Sequence, residues 1–247
     1  MSEAGRRALT RIGVAGWALP AVAKSCFPAA GTHLERYAAR LGAVEINSSF
    51  YRHHQQKTYA RWAESAPDDF RFAVKLPKAI THERRLVDCG ELVARFAEET
   101  AGLGAKRGPV LAQLPPSLRF PGAEAIRFLE ELGERLGSPV VVEPRHASWF
   151  TQEVDARLAA IRVARVAADP AKVPEAREPG GWPGLAYFRL HGSPEIYRSP
   201  YGAETLGRQA EAVTALAAKG VESWTVFDNT TFGAATLDAL ELRERVT

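Results

Sequence analysis

The sequence has few cysteines and no long apolar run, and both shortages narrow the kind of protein it can encode. Its two cysteines, Cys26 and Cys89, have neither CxxC spacing nor further partners, which argues against a disulfide framework or a zinc site. No segment approaches the roughly 20 apolar residues that a membrane helix needs. The polar start MSEAGRRAL lacks the apolar core of a signal peptide, so we expect a cytoplasmic protein with no membrane partner.

The chain also lacks a strong charge of either sign and a phosphate-binding glycine loop. A formal net charge of +3 is too close to neutrality to indicate nucleic acid as a partner, so any basic patch must be local. The turn after the first predicted strand reads GVAGWALP, which matches neither GxGxxG nor GxxxxGK[ST]. This absence argues against an open, doubly wound nucleotide-binding sheet.

Short apolar segments, most of them followed by a credible helix, recur eight times along the chain. They are Ile12–Gly16, Val44–Asn47, Phe70–Leu76, Val110–Leu114, Val140–Glu143, Val163–Ala168, Ala186–His191 and Ser223–Phe227. This alternation predicts a parallel sheet with helices outside it, and no repeat or linker marks a second domain. We therefore predict an α/β fold in which residues 1–247 form a single (β/α)₈ TIM-like barrel. Four prolines between residues 169 and 185 predict an irregular sixth helix.

Polar residues occupy one face of several predicted strands near their carboxyl ends. Alternate residues of a barrel strand face inward, and functional groups come from the strand ends and the loops that follow. A purely structural barrel would fill these positions with branched apolar side chains, so we predict a functional site at the C-terminal mouth. The residues with this placement are Glu45, Asn47, Lys75, Gln113, Glu143, Arg189 and His191, with Asp169, Asp228 and Asn229 at strand ends.

Loop residues add to the candidate site. All six histidines fall at strand ends or between a predicted strand and its helix, where barrel functional groups occur. The additional candidates from loops are Tyr51, His82, Arg145, His146 and Trp149.

Seven segments of this chain carry a family resemblance. They read IGVAGW (12–17), VEINSSFYR (44–52), FRFAVKLPKAITH (70–82), VLAQLPPS (110–117), VEPRHASWF (142–150), YFRLHG (187–192) and VFDNT (226–230). With these motifs in this order, the chain resembles the DUF72 (YecE-like) family over nearly its whole length. The resemblance implies a TIM-like barrel whose motif residues line the mouth, without an established activity.

Our first functional hypothesis is an enzyme or binder for a small anionic, phosphorylated ligand, a hydrolase or lyase if it is catalytic, with no cofactor. Lys75, Arg145 and Arg189 supply positive charge, and an Arg can grip an oxyanion with a bidentate fork. The catalytic candidates are Glu45 and Glu143 as base or acid, with His191 or His146 as proton partner. The ligand-binding candidates are Asn47, Tyr51, Lys75, His82, Gln113, Arg145, Trp149, Arg189, Asp228 and Asn229. The structural alternative makes Glu143–Arg145 and Glu45–Lys75 internal ion pairs that stiffen the mouth.

Three other hypotheses stay open at this point. A metal-dependent phosphoesterase or nuclease would draw ligands from Glu143, His146, Asp169, His191 and Asp228. No HxH or HxxE pair appears and cations lie nearby, so we expect no resident metal. A glycoside hydrolase would use two of Glu45, Glu143 and Asp228, with Trp17, Trp149, Tyr51 and Tyr201 as sugar platforms. A non-catalytic module for nucleotide or single-stranded nucleic acid would stack bases on Tyr51, Trp149, Tyr197 and Tyr201.

Overall fold

The computed structural model describes residues 9–246 of the chain, so the polar start discussed above falls largely outside the described residues. The strands are β1 (Thr10–Val14), β2 (Ala43–Ile46), β3 (Arg71–Lys75), β4 (Arg107–Gln113), β5 (Val140–Glu143), β6 (Val163–Arg165), β7 (Ala167–Asp169), β8 (Gly180–Gly181), β9 (Leu185–Leu190) and β10 (Glu222–Phe227). The helices are α1 (His33–Ala38), α2 (Gln56–Glu64), α3 (Gly90–Thr100), α4 (Ala123–Leu136), α5 (Gln152–Ala160), α6 (Ala203–Ala218) and α7 (Ala234–Val246). Within residues 9–246, no helix combines the length and apolar character needed to cross a bilayer.

The strands form a (β/α)₈ barrel, as the alternation of segments predicted. One run of parallel pairs joins β2 through β6 in chain order, and a second joins β1, β10, β9 and β7. The runs meet at a parallel bridge between Ala15 and Glu45. They also meet along residues 163–169, where β6 pairs with β5 and β7 pairs with β9. The sequence predicted one strand here, and the structure divides it at Val166 because the chain changes its neighbour.

The segment after β7 has no full helix, which confirms the predicted irregularity. A short 3₁₀ turn, Pro174–Arg177, stands in the place of the sixth barrel helix. The two-residue strand β8 then pairs antiparallel with β6 before the chain enters β9. Prolines lack a backbone N–H donor and fix φ, so this proline-rich segment cannot propagate an α-helix.

Helix α1 begins with a capping box. The Thr32 side chain accepts a hydrogen bond from the Glu35 N–H, and the Glu35 carboxylate accepts one from the Thr32 N–H. His33 is therefore a helical residue, and the expectation that every histidine lies outside the helices is wrong for it. The buried Tyr37 hydroxyl donates to the Ala43 carbonyl and accepts from the Val14 N–H, which ties α1 to two neighbouring strands.

Two apolar layers lie on opposite faces of the strands. Outward residues such as Val44, Val74 and Val142 pack under the helices in the larger core. A second cluster fills the barrel interior with Ala43, Ala73, Leu111, Val141, Ala164, Val166, Leu185, Tyr187, Trp224 and Val226. The predicted polar residues continue these inward rows toward the carboxyl ends of the strands. Apolar packing therefore closes the barrel from below and leaves the polar groups at its mouth.

Candidate functional site

Arg189, on β9, is the centre of a hydrogen-bonded charge network in the barrel mouth. It grips Glu45 with two bonds, from Nε to Oε2 at 3.1 Å and from Nη2 to Oε1 at 2.8 Å. Its Nη1 donates to Glu143 Oε2 at 2.8 Å, and Nη2 donates also to Asp228 Oδ2 at 3.0 Å. All three nitrogens of this fully buried guanidinium therefore face carboxylates. These contacts occupy the guanidinium, so it does not offer here the bidentate fork that we expected for a substrate anion.

His191 bridges two of the same carboxylates. Its Nε2 lies 2.9 Å from Glu143 Oε1, and its Nδ1 lies 3.1 Å from Asp228 Oδ2. A protonated imidazole can donate through both nitrogens at once, so this geometry suits the imidazolium form. Neither nitrogen is then free to exchange a proton with a ligand. His191 instead holds the two carboxylates in position.

Two uncharged side chains complete the network. Gln113 Nε2 donates to Glu143 Oε2 at 2.9 Å, and the Tyr187 hydroxyl donates to Glu45 Oε2 at 2.9 Å. Each carboxylate is thereby held by at least two donor side chains, and those of Glu143 come from two different strands. The structure brings together Glu45, Gln113, Glu143, Arg189, His191 and Asp228, as their placement on the strands predicted.

The network keeps Glu143 and Asp228 ionised. Burial alone would raise the pKa of Glu143, but Arg189, His191 and Arg145 outweigh burial and hold that pKa well below its usual 4.5. Burial would likewise raise the pKa of Asp228, which Arg189 and His191 hold below 3.8. A carboxylate with a depressed pKa is a weak proton acceptor at neutral pH. This environment does not favour the general-base role that we expected for Glu143.

The pKa values of the two mouth histidines, His191 and His82, are shifted in opposite directions. Burial would lower the pKa of His191, but Glu143 and the bond to Asp228 raise it above 6.5. The pKa of His82 is lowered by burial and by the nearby charges of Lys75 and Arg145. His191 therefore contributes stability that is complete below pH 6.5 and is lost as the pH rises through its higher folded-state pKa.

We expect an NMR titration of the ring protons to separate these two residues. His191 should titrate above pH 6.5 and His82 below it, because one faces carboxylates and the other faces cations. His82→Gln and His191→Gln variants assign the two signals. If the two signals move together near pH 6.5, the charge distribution described for the mouth is incorrect.

Lys75, at the end of β3, differs from every other charged strand residue of the site. Its side chain is buried, yet within residues 9–246 it makes no hydrogen bond or ion pair, and its Nζ lies 4.2 Å from the centre of the Phe50 ring. The Glu45–Lys75 ion pair of the structural alternative is therefore not formed, because Glu45 faces Arg189. Burial and then Arg189 lower the pKa of Lys75 to about 8, against the opposing effect of the mouth carboxylates.

Arg145 and His82 lie on the rim above the network. The Arg145 side chain is 21% exposed and donates to Glu143 Oε1 at 3.1 Å, so that expected ion pair is present. Arg145 also hydrogen bonds the Tyr197 side chain. A guanidinium has five N–H groups, so these two partners leave donors open. His82 is bonded at Nδ1 to Thr81 Oγ at 2.9 Å, and its ring packs edge-on against Phe50.

The segment between β9 and α6 covers part of the mouth. The Tyr197 ring packs edge-on against His191 with centroids 5.9 Å apart, and the Tyr197 carbonyl accepts from the Thr231 N–H at 3.0 Å. Beneath this segment is a cavity of about 20 Å³ bordered by Glu143, Arg145, His191 and Ile196. That volume holds about one water molecule. Any larger ligand at this point requires bordering side chains such as Ile196 to move.

Several predicted site residues do not join the network. His146 Nδ1 accepts from the Ser148 N–H at 3.1 Å and caps the turn Ala147–Trp149. Trp149 is fully buried and donates from Nε1 to the Leu118 carbonyl, so it has no free face for a sugar or base. Asn229 is buried and donates to Asp238 at 2.7 Å, which fastens α7 to the end of β10. The expected ligand-stacking role of Trp149 is thus wrong in this structure.

The remaining candidates lie at the edges of the mouth. Asn47 follows β2 and its buried Oδ1 has no hydrogen-bond partner within residues 9–246. Tyr51 is 70% exposed and packs edge-on against Phe50. Asp169 accepts a bond from the Tyr201 hydroxyl at 2.9 Å, apart from the Arg189 network. None of these three contacts the central carboxylates.

Three residues that the structure places at the site were not among our catalytic or ligand-binding candidates for an anion, although the stacking hypothesis named Tyr197. Tyr187 shares a strand face with Arg189, so the same alternation could have identified it. Phe50 packs against the Lys75 ammonium, and Tyr197 contacts both His191 and Arg145. No strand pattern identifies these two, because both contacts depend on how a loop folds back over the barrel.

A larger cavity lies outside the barrel. This groove has a volume of about 850 Å³ and lies between α3 and α4. The residues that border it include Val87, Val93, Arg127 and Phe128. No hydrogen-bonded charge network like that of the mouth borders this groove among the described residues. Functional residues of these barrels sit at the C-terminal face, and buried charges with shifted pKa values mark such sites, so we place the candidate site at the mouth.

The described part of the chain contains no group of three or more His, Cys, Asp or Glu side chains arranged to hold a metal ion. Glu143, His191 and Asp228 are adjacent, but each faces a hydrogen-bond partner within the network. The residues expected as metal ligands therefore do not form a ligand set in this arrangement.

The class of this protein is defined by its fold and its site. It is a parallel (β/α)₈ barrel, and its mouth holds a buried network of one arginine, three carboxylates and a histidine. The chain belongs to the family described as "Protein of unknown function DUF72", whose model matches residues 11–247. This match confirms the resemblance carried by the seven motifs.

Named relatives and solved structures agree with that assignment. The chain is 33% identical over 122 residues to UPF0759 protein YecE of Escherichia coli K12, covering 49% of this chain and 44% of YecE. It is 27% identical over 150 residues to UPF0759 protein YunF of Bacillus subtilis 168, covering 57% of this chain and 52% of YunF. These matches span about half the length of the curated relatives.

Two crystal structures of DUF72 family proteins share the fold. One, from Enterococcus faecalis V583, has a TM-score of 0.79 at 19% identity and covers 96% of this chain and 95% of that one. The other, from Thermotoga maritima MSB8, has a TM-score of 0.77 at 26% identity and covers 96% and 98%. Both likenesses extend over nearly the whole chain, so the barrel is the fold of the full DUF72 match.

Proposed function

We propose that this protein binds a small anionic ligand that carries a phosphate group, at the rim of the barrel mouth formed by Lys75, His82 and Arg145. The observation that carries the proposal is the unpaired ammonium of Lys75, which is buried beside a compensated network and has no carboxylate partner within residues 9–246. A buried cation normally has a partner, so its absence here points to one that arrives with a ligand.

The balance of charge supports an anion. Three carboxylates, Glu45, Glu143 and Asp228, face four cationic groups when His191 is protonated. The fourth cationic group in that count is Lys75, so the mouth keeps one net positive charge. His82 adds a second titratable donor, since an approaching anion would favour its charged form.

The rim residues are better placed to bind an oxyanion than Arg189, whose nitrogens already face carboxylates. Arg145 keeps open N–H groups that can form charge-assisted hydrogen bonds to phosphate oxygens. Lys75, at the end of β3, supplies a compact charge, and the charges of both residues act on His82. The cavity beside His191 admits about one water molecule, so ligand entry there requires the bordering side chains to move.

The competing functions fit this arrangement less well. A glycoside hydrolase needs a protonated carboxylic acid with a raised pKa, whereas the pKa values of Glu143 and Asp228 are both lowered. Nucleic-acid stacking retains the exposed Tyr51 and Tyr197 but not the buried Trp149. A phosphorylated small molecule uses the cations that the network leaves unpaired.

The proposal predicts a phosphate-dependent rise in melting temperature. Inorganic phosphate should stabilise the parent protein at constant ionic strength, and Arg145→Met should weaken phosphate binding by roughly 10- to 100-fold, the loss of a charge-assisted hydrogen bond. Phosphate should also raise the pKa of His82 in the NMR titration, because a bound anion favours imidazolium.

Lys78→Met provides the matched control. Lys78 lies three residues after Lys75, is 51% exposed at its side chain and pairs with Glu83 at 3.3 Å. Its replacement removes one nearby positive charge without touching the mouth, so phosphate affinity should stay within about twofold. Equal phosphate responses in the parent, Arg145→Met and Lys75→Met proteins would refute an anion site at this rim.

A further inference from the structure

Lys75 has a covalent reactivity that anion binding alone does not require. Its ammonium is carried on the last residue of β3, in the part of a (β/α)₈ barrel from which reacting groups extend. The side chain is 5% exposed and its head has no hydrogen bond or ion pair to any residue between 9 and 246. Every other charged strand residue of the site is bonded to the Arg189 network.

The surroundings of the Lys75 head are partly apolar. The centre of the Phe50 ring lies 4.2 Å from Nζ, a contact that favours the ammonium only weakly, and the opposing charges of Arg189, Glu45, Glu143 and Asp228 act from the network in the mouth. Desolvation disfavours the charged ammonium, and an amine without a carboxylate partner keeps its lone pair accessible after it loses a proton. Lysines desolvated in this manner are suited to attack carbonyl carbons.

We infer that Lys75 is a nucleophilic lysine that forms a Schiff base with a carbonyl compound bearing an anionic group. This inference rests on the proposed function for the substrate's charge, which Arg145 and His82 would hold while Lys75 reaches the carbonyl. The substrate class is therefore a phosphorylated aldehyde or ketone.

The chemistry balances without an external oxidant. The neutral Nζ attacks the carbonyl carbon, the C=O π pair moves to oxygen, and a proton passes from nitrogen to that oxygen to give a carbinolamine. Loss of one water then forms the C=N bond. The imine nitrogen takes up a proton from solvent, and sodium cyanoborohydride, added as the reductant, delivers hydride to the iminium carbon and leaves a stable secondary amine on Lys75.

Trapping with dihydroxyacetone phosphate tests the inference. The full-length protein is incubated at pH 8 with this probe and cyanoborohydride, and the labelled lysines are located by peptide mass spectrometry. Near pH 8 about half of Lys75 is neutral, against well under one percent of an ordinary lysine, so its labelling should exceed that of Lys78 by roughly tenfold or more. The Lys75→Met protein should lose this adduct and retain the slow labelling of its exposed lysines.

Uncharged dihydroxyacetone separates the two proposals. Strong labelling of Lys75 by the phosphorylated probe, competed by inorganic phosphate and weak with the uncharged probe, supports both. Strong labelling by both probes without a phosphate effect on melting supports the nucleophilic lysine and contradicts the anion site. A phosphate-dependent rise in melting temperature with Lys75 labelled no faster than Lys78 would overturn the nucleophilic lysine and leave the anion site standing.

Discussion

Replacing Arg189 by methionine is expected to lower the free energy of unfolding by at least about 3 to 5 kcal/mol, the loss seen when a buried ion pair loses one partner. Arg189 is fully buried and bonds Glu45, Glu143 and Asp228 together. Methionine fills much of the same volume but cannot offset three carboxylates. The substitution therefore leaves negative charges that are close together, poorly hydrated and unable to separate.

Denaturant unfolding of the Arg189→Met protein measures this effect, and Arg165→Met is the matched control. Arg165 is also buried, but it pairs with the single carboxylate of Asp155, whose side chain is 30% exposed. Water can solvate Asp155 after the substitution, so the loss should be clearly smaller. Adding Glu45→Gln to Arg189→Met should recover part of the stability, because one stranded charge is removed. An Arg189→Met protein as stable as its parent would contradict the network.

Replacing Lys75 by methionine is expected to have the opposite sign and to stabilise the protein at pH 7 by roughly 2 to 3 kcal/mol. The pKa of Lys75 falls from 10.5 to about 8 in the folded protein, so folding opposes its charged form. Methionine keeps the apolar stem that packs near Phe50 and removes an ammonium that no described residue neutralises by direct contact. The gain measures the net cost of the buried charge.

The stabilisation should depend on pH in a defined window. Between pH 8 and pH 10.5 the unfolded chain binds more protons at Lys75 than the folded protein, so the parent gains stability as the pH rises. The advantage of Lys75→Met is therefore complete below about pH 8 and gone above pH 10.5. The other charged groups around Lys75 are the same in the parent and in the Lys75→Met protein. They are Arg189, Glu45, Glu143, Asp228 and His82. Lys78→Met should show no such window, and a destabilised Lys75→Met protein would contradict the unpaired ammonium.

The two substitutions distinguish structural charge from functional charge. A residue held by partners stabilises the fold when present, whereas a residue kept for a ligand or a reaction commonly reduces stability. Arg189 is expected to belong to the first kind and Lys75 to the second. Loss of phosphate binding or of carbonyl labelling in a Lys75→Met protein that is more stable than its parent would locate function at this residue.

Much of the barrel followed from local chemistry in the sequence. Alternating apolar segments predicted the strands because successive side chains of a strand point to opposite faces. That alternation also placed Glu45, Gln113, Glu143 and Arg189 on one inward side, since their spacing from apolar neighbours such as Val142 and Leu190 is local information. Proline content predicted the irregular segment after β7 for the same reason, because proline restricts its own backbone wherever it occurs.

Only the tertiary structure decided which charges face each other. Arg189 lies 144 residues from Glu45 and 46 from Glu143, and nothing in their local sequences assigns them to one another. The structural alternative paired Lys75 with Glu45, but the barrel brings the guanidinium of Arg189 to both oxygens of that carboxylate and leaves the ammonium of Lys75 beside Phe50. Trp149 likewise was predicted to be a loop aromatic available to a ligand, but in the structure it is buried in the core. The sequence by itself determined which groups point toward the mouth, because strand geometry is local. The closure of the barrel decided their partners, burial and pKa values. These depend on distance and solvent access between residues that are far apart in the chain, as electrostatic energy does.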